Sequence, residues 1–333
     1  MPARRWSARG SSSRPRRADA VRALVTGGAG FIGSTLVDRL LSEGHVVDVV
    51  DDLSSGSLAN LSDARAQREN KLTFQRLDVR SGAVVEYLQH RKPEVVFHLA
   101  AQASVVVSVD RPSLDAEVNI LGSLNVIQGA LAAGTRKVVF AGSGGTLYGI
   151  PESIPTREGH PQHPLSPYGV SKKVVIDYLH YYRDVQGLDS TTLALANVYG
   201  PRQDPHGEAG VIAIFSAKLL AGERPTIYGD GEQTRDFVFV DDVCDAFVRA
   251  AEKGGGLTIN VGTGSEASVQ RLFDTMARET GFTEPARYAP PRAGELRRSA
   301  LDPSRAEIHL GWKHWTDLDV GLRRTIDSIR ARG

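Results

Sequence analysis

The feature that most constrains this 333-residue chain is a glycine run closing its first apolar segment. Residues 22–27, Arg-Ala-Leu-Val-Thr-Gly, read as a short buried strand, and they pass into Gly27-Gly28-Ala29-Gly30-Phe31-Ile32-Gly33. Glycines spaced three apart at Gly27, Gly30 and Gly33 permit a tight turn and let backbone N–H groups approach a pyrophosphate at a helix N-terminus. Phe31 to Ser42 then repeats apolar residues at helical spacing, and His45 to Val50 forms a second strand ending in Asp51-Asp52. Strand, glycine turn, helix, strand and terminal carboxylate together predict a parallel βαβ unit that holds a dinucleotide.

The alternation continues. Apolar runs of strand length recur at 94–100, 137–141, 190–196, 236–240 and 257–261, with amphipathic segments at 123–133 and 168–185 between them. Alternation through about 190 residues predicts an α/β fold with a doubly wound parallel sheet of Rossmann type. After Asn197 the pattern loosens, with Pro/Gly-rich connections at 201–210 and 284–294. Residues 21–197 with 236–263 are therefore expected to form the nucleotide-binding domain. Residues 198–235 and 264–333 are expected to form a smaller C-terminal, substrate-binding lobe.

Composition enters mainly by exclusion. With 41% hydrophobic and 24% charged residues, the chain is not collagenous, coiled-coil or wholly disordered. No apolar run approaches the ~20 residues of a membrane helix, so no membrane partner is expected. Cys244 is the single cysteine, which excludes an intrachain disulfide and a multi-thiolate zinc site and fits a reducing, cytoplasmic compartment. Residues 1–20 carry six arginines against Asp19, a net charge of +5 on a chain of +1. Their Ser/Arg/Gly/Pro composition lacks the apolar stretch of an export signal and reads as a disordered tail without a nucleic-acid role.

Asp51 follows Gly27 by 24 residues, placed to accept hydrogen bonds from adenosine ribose hydroxyls. An acid there repels a 2′-phosphate, so NAD is expected over NADP. Asp78, after Phe74–Leu77, falls near the adenine by the same topology. Tyr168 and Lys172 stand at i and i+4, hence on one helix face, with Ser166 as N-cap and Pro167 in the first turn. A lysine beside a tyrosine favours the phenolate, and the pair is expected to lower the phenol's pKa from its usual ~10. Cys244 and His98 read as core residues, and no metal site is expected.

Together with Ala141-Gly-Ser-Gly-Gly-Thr-Leu-Tyr-Gly149, these segments resemble the extended short-chain dehydrogenase/reductases, within them the nucleotide-sugar epimerases of the UDP-glucose 4-epimerase type. The likeness covers nearly the whole chain after residue 20. It includes VTGGAGFIGS (25–34), DDLSSG (51–56), LDVR (77–80), HLAAQ (98–102), SPYGVSK (166–172), NVYGPRQDP (197–205), GDGEQTRDFVFVDDV (229–243) and LDPSRAEIHLGW (301–312).

The resemblance implies tightly held NAD, with Phe31, Ile32, Val79, Leu99, Ala100 and Ala101 joining the glycines and aspartates around it, and a UDP-sugar substrate. It implies that Tyr168 takes the 4-hydroxyl proton and that Lys172 binds the nicotinamide ribose. Many relatives carry the hydroxyl partner where this chain has Gly144. Ser143 is the nearest hydroxyl and Thr146 the alternative. Substrate contacts are implied at Asn197, Arg235, Arg292 and Glu295, with Ser299 beside the sugar's C2 substituent. Arg202, Arg297 and Arg298 offer a rival role, attracting a C6 carboxylate. Dehydratase and decarboxylase relatives carry acids at Gly145-Thr146, which disfavours both reactions here. A non-catalytic NAD sensor would not need the Tyr/Lys pair. A homodimer through 123–133 and 168–185 is expected.

Overall fold

A computed structural model describes residues 20–66, 71–205, 210–291 and 296–332. The Arg-rich tail, apart from Ala20, and the substrate candidates Arg292 and Glu295 lie outside the described residues.

Seven parallel strands form the central sheet. They are β1 (Arg22–Thr26), β2 (Val46–Asp51), β3 (Leu72–Arg76), β4 (Val95–His98), β5 (Lys137–Ser143), β6 (Asp189–Leu195) and, much later in the chain, β11 (Thr258–Val261). Their order is β11-β6-β5-β4-β1-β2-β3. The chain builds outward from β1 to β3, then crosses back to lay β4 on the other side of β1. That reversal opens a crevice beyond the carboxyl ends of β1 and β4, the place where such sheets bind ligands. The register puts Thr26 opposite both Val50 and His98, so the glycine turn emerges at that crevice. Strands β1, β4 and β5 are buried on nearly every residue, as expected when helices cover both faces.

The helices are α1 (Phe31–Ser42), α2 (Ser62–Ala66), α3 (Ala83–Arg91), α4 (Val105–Asp110), α5 (Pro112–Ala116), α6 (Gly122–Ala133), α7 (Gly144–Leu147) and α8 (Pro167–Gln186). A π-helical turn, Glu117–Leu121, joins α5 to α6. One sheet face is covered by side chains of α3, α6 and α8, among them Leu88, Ile127 and Ile176. The 20 residues of α8 start where expected: Ser166 accepts from Gly169 N–H, Pro167 occupies the first turn, and Gly187 ends the helix at φ 76°.

Beyond β6 the chain forms short pairs: β7 (Asn197–Tyr199) with β10 (Phe237–Phe239), β8 (Thr226–Tyr228) with β13 (Arg287–Ala289), and β9 (Thr234–Arg235) with β12 (Ala267–Ser268). Five helices accompany them: α9 (Val211–Leu220), α10 (Val240–Ala250), α11 (Val269–Thr280), α12 (Ser304–Leu310) and α13 (Leu318–Arg330). The apolar run at 236–240, expected as a strand of the main sheet, instead pairs with β7 outside it. Its first residue supplies the reason. Buried Asp236 accepts from the N–H groups of Thr263, Gly264 and Leu301, which anchors the segment past the carboxyl end of β11. The second sheet face and the C-terminal half share one core, running from Val25 and Leu36 through Phe215 and Phe247 to Ile326. Among the described residues, no helix is long and apolar enough to cross a membrane.

Candidate active site

At the glycine turn, backbone geometry fixes the residue type. Gly27 has φ +68°, and a Cβ there would lie 2.7 Å from Ala100 N; a Cβ on Gly33 would lie 2.1 Å from Gly27 O. Both clashes are with backbone, so the turn packs against the end of β4 and onto itself with no room for a Cβ at either position. Gly30 caps α1 in extended conformation without a side-chain bond to the first turn, so the N–H groups of Phe31 and Ile32 have no capping acceptor. A tight glycine turn that leads into a helix N-terminus with uncapped N–H groups fits a dinucleotide's pyrophosphate.

Asp51 ends β2 and is buried. Its two oxygens accept from Ala29 N–H at 2.9 Å and Leu53 N–H at 2.8 Å, tying β2 to the turn. Burial pushes this carboxyl's pKa up despite those bonds. A Cβ on Gly56 would lie 2.9 Å from Ala29 C and 3.0 Å from Asp51 Oδ1, so the 51–56 loop closes directly over the carboxylate. Spacing arguments alone did not find that role for Gly56. Leu99 N–H donates to Thr26 O and Ala100 N–H to Thr26 Oγ1, which brings the end of β4 against the glycine turn with Ala101 next along. Val79 is buried beneath Gly122. Asp78 is partly exposed and gripped by both Arg80 Nε and Nη2, which hold its pKa low.

Ser143 ends β5 at the N-cap position of α7, and its hydroxyl acts on the Tyr168 phenol to lower its pKa. Lys172, one turn along α8, is buried and donates to Ala141 O at 3.0 Å. Its Nζ stands 4.7 Å from the Phe140 ring centre and 5.6 Å from that of Tyr168. Burial pushes Lys172 down to about 8, opposed by the negative charge of Asp115. Burial likewise pushes Tyr168 up to about 12, opposed by the Ser143 hydroxyl. The expected lowering of the phenol is therefore reversed in this state. The ammonium bonds to a β5 carbonyl, and desolvation of the phenolate outweighs the effect of Ser143.

Thr146, the alternative hydroxyl, is buried at Oγ1 without a partner. Gly144 is crowded, and a side chain there requires Leu301 to turn aside. A Cβ there would lie 2.4 Å from Leu301 Cδ1 and 3.1 Å from Ala194 O. Tyr148 points away from Tyr168 and donates to Asn260 Oδ1 at 2.7 Å.

A buried polar chain backs the site. Ser123 donates to Asn119 O, so His98 Nε2–H must donate to Ser123 Oγ at 2.8 Å, leaving Nδ1 to accept from Thr26 Oγ1 at 2.7 Å. Burial and the nearby Lys172 charge push His98 down to about 3, so it is neutral, the core residue expected. The participation of Ser123 and Asn119 was not foreseen. Their signal was polar residues within the apolar stretch 118–127.

The remaining candidates lie in the C-terminal half. Asn197 is exposed at the start of β7; Arg235, on β9, and Ser299 are half-buried. Arg202 turns toward α1 and α2, pairing with Asp38 at 2.6 Å and Asp63 at 3.2 Å. Arg297 pairs with Asp230, both exposed, and exposed Arg298 pairs with half-buried Glu266. Cys244 is a buried free thiol whose pKa burial raises, unlike a nucleophile's. Among the described residues, no cluster of His, Cys, Asp and Glu could hold a metal ion.

Residues 23–262 match the NAD dependent epimerase/dehydratase family. The chain belongs to that family. It is 51% identical over 311 residues to the UDP-glucose 4-epimerase of Mycolicibacterium smegmatis, covering 93% of this chain and 99% of the relative. The UDP-glucose 4-epimerase of Thermotoga maritima, solved with UDP-glucose, superposes with a TM-score of 0.90 at 43% identity, covering 93% of this chain and 99% of that one. The UDP-N-acetylglucosamine 4-epimerase of Methanobrevibacter ruminantium, solved with UDP-N-acetylmuramic acid, superposes with a TM-score of 0.89 at 33% identity, covering 95% and 100%.

Proposed function

We propose that the protein is a NAD-dependent isomerase that inverts C4 of a UDP-hexose through a 4-keto intermediate. One observation carries the reading: the Tyr168 phenol, with Ser143 at the end of β5 lowering its pKa and Lys172 Nζ 5.6 Å from its ring centre, stands at the crevice that the glycine turn enters. NAD, held by the glycine turn, Asp51 and Lys172, would supply reversible hydride chemistry at C4. Ser143 would hold the 4-oxygen by a hydrogen bond, and Tyr168 would carry its proton away and back. By lowering the phenol's pKa, Ser143 stabilises the phenolate that this exchange requires. Lys172 would hold the nicotinamide ribose.

The two faces of the dinucleotide site are read from the same geometry. The N–H groups of Phe31 and Ile32 would bind the pyrophosphate, and Asp51 would meet the adenosine ribose with lone pairs its two backbone donors leave free. Asn197, Arg235, Arg292 and Glu295 would contact the UDP moiety. A serine at position 299 leaves room at C2 for an acetamido group, so UDP-N-acetylhexosamines join UDP-glucose and UDP-galactose as substrates. Against a glucuronate substrate stand Arg202, Arg297 and Arg298, each already paired with a carboxylate of the chain.

The same reading makes the protein a cytoplasmic homodimer. Val106, Val109, Leu121, Tyr181 and Val185 are about half exposed or more on α4, the π-helical turn and α8, an apolar face suited to a second copy.

Turnover decides the proposal. UDP-glucose, UDP-galactose, UDP-N-acetylglucosamine and UDP-glucuronate are incubated with the protein and C4 epimers resolved by NMR. Tyr168→Phe should retain NAD and lose ~10²–10⁴-fold in kcat. Retention of more than a tenth of the activity would remove Tyr168 from the proton-carrying role.

A further inference from the structure

Asp115, on α5, is a carboxylate with no exposed surface, and the roles above do not use it. Its partners are all neutral. Oδ2 accepts from the Ser171 hydroxyl at 2.6 Å, and Oδ1 accepts from Gln102 Nε2 at 3.0 Å and Asn119 Nδ2 at 2.8 Å. A buried charge without an ion-paired cation is expensive unless something nearby needs its field. Ser171 is the residue before Lys172 on α8, and Tyr168 is three before Ser171, so the anchor point lies between the two groups of the catalytic pair. We propose that Asp115 is the positioning residue of the proposed site, the fixed counter-charge of the Tyr168–Lys172 pair and, through Ser171, the anchor of the helix turn that carries it.

The surroundings support an electrostatic role beyond packing. The groups facing this pair are few: Ser143 and the Ala141 carbonyl from β5, the Phe140 ring beneath Lys172, and neutral His98 from β4. From α4, the charged residue is Asp110, at its exposed end. The π-helical turn contributes Asn119 and the exposed Glu117, which faces Arg80 at 3.7 Å. Asp115 is the buried charge opposing the desolvation of Lys172, and the same charge raises the Tyr168 phenol. Burial is the larger cause at both groups; the Asp115 charge adds to it at Tyr168 and opposes it at Lys172. Removal of that one charge lowers the pKa of both groups together. A purely structural hydrogen-bonding residue would move neither.

Asp115→Asn isolates the charge. The amide oxygen still accepts from Gln102 and Asn119, and the amide N–H₂ donates to Ser171, whose hydroxyl accepts as readily as it donates. The proposal rests on the epimerase reading, so one readout is independent of turnover. The ionisation of Tyr168 is followed by tyrosinate absorbance as the difference between proteins with and without Tyr168→Phe, in the wild-type and D115N backgrounds. It should move to lower pH by about one unit in D115N. In turnover, both limbs of the kcat profile should shift the same way, with KM for UDP-glucose and NAD content unchanged. Ser171→Ala keeps the charge and removes the anchor; it should lower kcat by about tenfold or more at unchanged KM.

An unshifted tyrosinate titration in a D115N protein that circular dichroism shows to be folded across the titration would overturn the counter-charge role, and a shift counts in its favour only under the same condition. Full kcat in Ser171→Ala would overturn the anchoring role and, should D115N not fold, the proposal with it. A wild type that shows the tyrosinate shift on D115N but no epimerisation would refute the proposed function and leave the role of Asp115 standing.

Discussion

His98 should make the stability of this protein fall steeply in mild acid. Its ring is buried in the chain from Thr26 to Asn119, with one nitrogen donating and the other accepting. A second ring proton would meet the Thr26 hydroxyl, whose oxygen already accepts from Ala100 N–H. The folded-state pKa is depressed, from 6.5 to about 3. The unfolded chain therefore binds a proton that the folded chain refuses, and stability present above pH 6.5 is lost as pH falls toward 3. A depression from 6.5 to about 3 corresponds to about 5 kcal/mol in full, of which about 3 kcal/mol is gone by pH 4.5. The assay is urea unfolding of wild type and His98→Gln at pH 7, 5.5 and 4.5. The variant should be less stable at pH 7, because Gln cannot span both partners, and the gap should narrow by about 3 kcal/mol at pH 4.5. A gap that stays constant over this range would show that His98 is not held neutral by the fold, and the reasoning would fail.

Other substitutions test other parts of the site. Gly33→Ala places a methyl group 2.1 Å from Gly27 O, so NAD should be absent from the purified protein and stability should drop by about 1–3 kcal/mol, read by cofactor extraction and thermal melting. Ser143→Ala should reduce kcat by about 10²-fold, and adding Gly144→Ser should not rescue it, because Leu301 Cδ1 fills the space 2.4 Å from that Cβ. Recovery in the double variant would show that position 144 can supply the hydroxyl. Ser299→Tyr should abolish turnover of UDP-N-acetylglucosamine while sparing UDP-glucose; equal losses on both would place residue 299 away from C2. Light scattering at micromolar concentration should give the mass of a dimer, and a monomeric mass would leave the apolar face of α4 and α8 without its proposed occupant.

Much of this architecture was legible in the chain because it rests on local rules. The glycine turn, the start of α1 at Phe31 and the capping of α8 by Ser166 each follow from residues within a few positions of one another. That Tyr168 and Lys172 share one helix face followed from their spacing, while the roles expected of them came from the resemblance. What the sequence could not determine depended on contacts made across the sheet. The segment at 236–240 has a strand's composition, but Asp236 is anchored by amides some thirty and sixty positions later, so it leaves the main sheet. Position 144 is crowded by Leu301, more than 150 residues away. Burial, a property of the whole fold, reverses the expected direction of the Tyr168 shift. Arg202 matches a substrate motif in sequence, yet Asp38 and Asp63 claim it in space. Periodicity and turn chemistry are short-range and can be read along the chain. Desolvation, steric closure and the choice of ionic partner are long-range, and only the folded molecule decides them.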